Sequence, residues 1–154
     1  MAIRWVLVLL LAISPVAWGF DLRLIHQDQT WSFTIDELKS LPQTSFETET
    51  PWTEHSGYYV GIRLSDLLTA APMDTEAVSQ LRMTALNDYA VDAPIQKLID
   101  ADAVVVYQRD GNTMPVRDFG PFWMLFPFTD RPELENREIR NVSVWQLKSI
   151  ELMP

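Results

Sequence analysis

The side chains that most often carry chemistry are scarce in this sequence, and the scarcity bounds what it can do. Cysteine is absent from all 154 residues, which removes disulfides, thiolate catalysis and Cys-ligated metals. His26 and His55 are the only histidines. They form no helical pair such as HxxxH, so a zinc site would need both of them plus carboxylates brought from afar. Glu47 and Glu49 alternate along one extended stretch, a spacing that suits a solvated face better than acid-base work. There is no Ser-His-Asp pattern and no glycine-rich phosphate loop. Asn141-Val142-Ser143 matches a glycosylation sequon, a match short enough to arise by chance. The expectation is a protein that is not an enzyme.

Large aromatic side chains are the more suggestive feature. Trp52 follows Pro51 in a loop flanked by Thr50, Thr53 and Glu54, where a bulky indole has little reason to be core. Trp123 lies in the apolar run Phe122 to Phe128, and there ordinary packing competes with a functional reading. Trp145 stands beside Gln146 near the end of the chain, and Trp31 reads as hairpin packing.

These residues need elements to position them. Leu22 to Ile25 and Thr30 to Phe33 predict an opening hairpin. Thr34 and Glu37 have capping-box spacing ahead of Leu38 and Leu41, with Pro42 ending the short helix. Ser45 to Thr50 reads as a strand, and Leu64 to Ala71 as a helix with Ser65 or Asp66 in its first turn. Leu81 to Leu86 and Tyr89 to Val91 read as strands around Asn87-Asp88, Pro94 opens a helix through Leu98, and Ala103 to Tyr107 is a β-branched apolar run. Asp110-Gly111-Asn112 is a turn, Trp123 to Phe128 a strand, and Val144 to Leu152 the terminal strand. The result is an α+β domain of mostly β character with short helices.

Composition agrees with a single folded domain: hydrophobic residues make up 47% and charged residues 21%, a globular balance. A basic start at Arg4, an apolar run from Trp5 to Ile13 and the small-residue pattern Ala17-Trp18-Gly19 read as a signal peptide, residues 1–19, cleaved before Phe20. The apolar run falls short of the ~20 residues that span a bilayer. The mature domain would then be residues 20–154, exported to a periplasm. The formal net charge of -9 argues against nucleic acid, which demands a basic surface. It fits plain solubility or an acidic face meeting a basic partner.

Four segments in order resemble the molybdopterin-binding domain of sulfite-oxidase-like oxidoreductases. They are Leu38 to Pro42 with the strand after it, Gly61-Ile62-Arg63-Leu64-Ser65-Asp66-Leu67-Leu68, Ala85-Leu86-Asn87-Asp88-Tyr89-Ala90-Val91, and Asp110-Gly111 followed by Gly120-Pro121 and Val144-Trp145-Gln146-Leu147. The resemblance implies that family's fold. It also implies a metal-ligating cysteine near the position Thr48 holds, and a hydroxyl is a poor substitute for a thiolate. The cations that clamp the cofactor's phosphate in the family correspond here to Phe119, Trp123 and Val144. Burying a phosphate beside Phe, Trp and Val would cost several kcal/mol, whereas an unphosphorylated pterin makes no such demand. The pattern resembles a subgroup of small periplasmic proteins that bind reduced pterins and act with membrane-bound enzymes making or degrading cyclic di-GMP.

On that resemblance the ligand is an unphosphorylated pterin, with no metal cofactor. Flat and edged with donors and acceptors, it needs aromatic faces and a polar rim. Trp52, Trp123 and Trp145 are the candidate faces, Thr48 marks the vacated ligand position and Tyr89 matches a family position near the substrate pocket. Asp88 is the preferred carboxylate, with an Asx turn made with Asn87 as its alternative. Arg117-Asp118 forms either a charged rim or a solvated surface pair. Arg137 and Arg140 are further possible contacts to an anionic group or a partner. Two other readings remain open: a small molybdopterin oxidoreductase subunit with a non-Cys ligand, and a ligand-free module whose pocket is filled by its own tryptophans.

Overall fold

The structure, a computed structural model, describes residues 19–154; the expected signal peptide falls outside the described residues except for Gly19. Two five-stranded sheets carry the domain. The first has the order β2-β1-β10-β5-β6, made from Leu22–His26 (β1), Gln29–Phe33 (β2), Gln80–Ala85 (β5), Ala90–Pro94 (β6) and Leu147–Met153 (β10). The parallel pairing of β1 with β10 joins the two ends of the described chain, with Leu24 beside Ile150. The second sheet runs β3-β4-β7-β8. Its strands are Thr44–Thr48 (β3), Gly57–Arg63 (β4), Val104–Arg109 (β7) and Asn112–Thr113 (β8), and Trp123–Leu125 (β9) adds to β7.

Alternation sets the inner faces. Leu22, Leu24, Leu81, Met83, Ile150 and Leu152 are buried from the first sheet, and Val104 to Tyr107 are buried throughout, as befits a strand covered on both sides. At Gly61 an added Cβ would lie 2.2 Å from the Val105 carbonyl oxygen. Only glycine admits that approach of β4 to β7, and the pairing shifts register beside it. The helices are short: Ile35–Lys39 (α1), Leu64–Thr69 (α2), Ile95–Asp100 (α3) and Arg137–Val142 (α4). The Thr34/Glu37 capping box is formed in both directions. Asp110 and Gly111 both adopt positive φ in the β7-β8 turn, the geometry that an Asp-Gly hairpin favours.

Several boundaries depart from expectation. The strand at Trp123 stops at Leu125, because the chain then leaves β7 toward Pro127. Trp145 is not on the terminal strand: Gln146 takes a left-handed φ of 51° and β10 begins only at Leu147. Strand β3 ends at Thr48, two residues before the expected Thr50, and Tyr89 lies in the turn preceding β6. Strand β4 and helix α4 were not anticipated.

Candidate functional site

The backbone of Val144 to Leu147 ties three parts of the fold together. On one side Met124 N donates to Val144 O at 2.9 Å, Gln146 N to Phe119 O at 2.9 Å and Leu147 N to Phe122 O at 2.8 Å. On the other, Leu86 N donates to Gln146 O at 2.8 Å. Trp145 is thereby held between the Pro115–Phe122 segment and the β5-β6 turn. Phe119 also has left-handed φ, and Gln146 Nε2 donates to Val116 O at 2.8 Å, clamping the segment from the side-chain direction.

An aromatic cluster results. Phe119 stacks on Trp123 with ring centres 4.6 Å apart. Trp52 meets Trp145 and Trp123 edge-on at 5.5 and 5.7 Å, and Phe119 meets Trp145 edge-on at 5.7 Å. These separations fall within the favourable aromatic range. Trp123 is fully buried while Trp145 is 38% exposed, so the cluster is a packed base with one face presented. Trp52 is held over it by its own loop, where Thr50 Oγ1 accepts from the backbone N–H groups of Trp52 and Thr53.

Trp145 faces a cleft of about 290 Å³, together with Tyr89, Asn87, Gln146, Arg140 and Ser143. Tyr89 is 52% exposed. The cleft therefore offers two aromatic side chains with unshielded surface and three amides, those of Asn87, Asn141 and Gln146. Asn87 Oδ1 accepts from Tyr89 N at 3.1 Å, which leaves its NH2 group as a donor. Gln146 spends its NH2 on Val116 and keeps its carbonyl oxygen as an acceptor. The volume lies at the lower end of ligand pockets, roughly 300 Å³ and upward. That is room for one small ring system.

The expected site residues therefore separate. Trp52, Trp123 and Trp145 share the cluster, but of the expected residues only Trp145, Tyr89 and Arg140 line the cleft. Asp88 sits in the β5-β6 turn with positive φ and is ion-paired to Lys148. The Lys148 hydrogen bond, then its charge, holds the carboxyl below the usual carboxylate range. The Asx turn is made by Asn87, which frees Asp88 to face solvent rather than the cleft. Thr48 is fully buried, and its hydroxyl donates to Glu49 O at 2.8 Å while accepting from Thr129 N at 3.0 Å. Arg117 and Asp118 pair with each other at 3.6 Å, both largely exposed, which is the solvated surface arrangement. Asn87, Gln146 and the stacking role of Phe119 had not been singled out as ligand contacts. For Asn87 the signal was its own turn chemistry.

Beneath the cluster lies a second polar locus. Tyr59 packs edge-on to Trp123 at 5.9 Å, and the Arg109 guanidinium lies 5.8 Å from the Tyr59 ring centre. Burial pushes the Tyr59 phenol up, against the opposing pull of the Arg109 charge. Tyr59 Oη and Trp123 Nε1 are buried without hydrogen-bond partners among the described residues.

The fold is that of the sulfite-oxidase-like molybdopterin-binding class. The chain belongs to the family described as the oxidoreductase molybdopterin binding domain, which it matches over residues 10–129. Among solved structures it is similar to the sulfane dehydrogenase SoxCD from Paracoccus pantotrophus, with a TM-score of 0.63 and 16% identity over 86% of this chain. That likeness shows the sulfite-oxidase-like fold. The alignment covers 38% of the other chain, so this chain spans well under half of that protein. No curated protein matches it.

The donor set does not suit the cofactor that gives the family its name. No thiolate exists to ligate molybdenum, and the Thr48 hydroxyl is already committed to two backbone partners. Phe119, Trp123 and Val144, which stand at the phosphate-clamping positions by resemblance, form an apolar surface in which Trp123 and Val144 are buried.

Proposed function

We propose that this chain is an exported pterin-binding protein that senses reduced, unphosphorylated pterins. In this reading it regulates a membrane-bound enzyme that makes or degrades cyclic di-GMP through that enzyme's periplasmic domain. The observation that carries the proposal is the cleft beside Trp145 and Tyr89: aromatic surface, amide edges and a volume of about 290 Å³, on a family scaffold without a thiolate or a phosphate clamp. A bicyclic heterocycle stacks on Trp145, and its ring N–H and carbonyl groups pair with Gln146 and Asn87. The signalling half rests on the resemblance of the sequence to pterin-responsive periplasmic proteins, and the acidic surface is suited to a basic partner face.

The test is to purify the exported protein from a molybdenum-replete host, record pterin fluorescence in the released ligand and measure metal content. A fluorescent pterin without stoichiometric molybdenum supports the proposal; stoichiometric molybdenum sinks it in favour of an oxidoreductase subunit. A second reading, a ligand-free interaction module, draws on the packing of Trp52 against Trp123 and Trp145. It predicts that neither pterin nor metal is found.

A further inference from the structure

We infer that Arg140 is the specificity-determining residue of the cleft and that the ligand it selects is a planar heterocycle carrying a short carboxylate arm. This rests on the reading of the cleft as a pterin site and names which members of that class it takes.

Arg140 is the one side chain lining the cleft that is charged at neutral pH; the remaining lining is aromatic, amide, hydroxyl or aliphatic. Its charge is met by one carboxylate, Glu135, in a half-exposed ion pair at 2.8 Å, while Asp88 is paired to Lys148 outside the cleft. The chain as a whole is strongly acidic, at -9. The guanidinium is thus the cleft's one charged hydrogen-bond donor, and with N–H groups to spare it suits an anionic group and disfavours a cationic one.

The guanidinium is positioned but not saturated. It comes from the last turn of α4, whose first turn is capped by the Asn136 side chain accepting from the N–H groups of Glu138 and Ile139. Nη2 donates to Glu135 Oε1 at 2.8 Å, and no other Arg140 hydrogen bond is present among the described residues. Most of its five N–H donors remain for a ligand. Glu135 belongs to a separate cleft with Glu49, Pro51 and Phe128, so it anchors the guanidinium from outside the ligand's space. A carboxylate arm can then meet the unused N–H groups as a charge-assisted, two-point contact.

Three probes test this by calorimetry on the exported protein: a pterin carboxylate, the corresponding hydroxymethyl pterin, and quinoline carboxylate as a planar acid outside the pterin class. The carboxylate should bind about fivefold to tenfold more tightly than its hydroxymethyl counterpart, a range held down by the half-exposed guanidinium. The ratio should shrink at high salt. In Arg140→Gln it should fall to about one, and in Arg140→Lys, which keeps the charge but not the fork, to an intermediate value. Equal affinities in the unmodified protein, or a ratio untouched by Arg140→Gln, would overturn the assignment. If neither pterin binds but quinoline carboxylate does, with loss in Arg140→Gln, the pterin reading fails and the Arg140 assignment stands. If no probe binds, both are overturned.

Discussion

Thr48 shows how a single buried hydroxyl can tie two segments together. Its hydroxyl sits where the family resemblance implies a metal-ligating thiolate, yet it works as a structural bridge between Glu49 O and Thr129 N. Thr48→Val keeps the shape and leaves Thr129 N without its acceptor. Stability should fall by roughly 0.5–1.5 kcal/mol, the net worth of a hydrogen bond whose backbone partners can still reach water, read from the midpoint of urea unfolding. Asp88 makes a different prediction. Its carboxyl is held low by the Lys148 hydrogen bond, so its contribution to stability is present above the ordinary carboxylate range and is lost as pH falls through the depressed folded value. Both groups meet solvent, and the contribution is correspondingly small. Lys148→Met should return the Asp88 carboxyl to the usual range in an NMR titration; an unmoved titration contradicts the pairing.

At the level of elements, the parts set by local chemistry were readable in advance. The Thr34/Glu37 capping box, the Asp110-Gly111 turn and the opening hairpin all depend on residues adjacent in sequence, and all are formed. Strand β4 was not readable, because Gly57 and Gly61 lower its local β preference, and their use appears only when Arg109 and Val105 crowd against them. Helix α4 had a usable signal in the Asn136 cap and the Ile139/Val142 spacing, but it is a six-residue element and weakly patterned. Trp145 was placed one element too far along, since nothing local announces a left-handed Gln146. For the site, the three tryptophans were identifiable as a set. That only Trp145 faces the cleft is decided by long-range stitching to Phe119, Phe122 and Leu86. Gly61→Ala should destabilise the second sheet by about 1–3 kcal/mol or more, as overpacking does, because the added methyl would meet the Val105 backbone rather than a flexible side chain. Unchanged thermal unfolding would contradict that account.

Across the whole molecule, the fold of the molybdopterin-binding family is built on a chain that holds no cysteine. The Thr48 hydroxyl is committed to backbone partners, and the aromatic base of Phe119, Trp123 and Trp145 presents one exposed edge to amides and one arginine. Fold alone does not fix function, so the claim stands on the cleft. Its most direct test is an anaerobic calorimetric titration of the purified protein with reduced, unphosphorylated pterins, repeated with Trp145→Ala. The account predicts one binding site per chain and, in the variant, a loss of at least roughly 0.5–1.5 kcal/mol of binding free energy, the worth of an aromatic pair. Absence of binding by every such pterin, or affinity indifferent to Trp145, would contradict it.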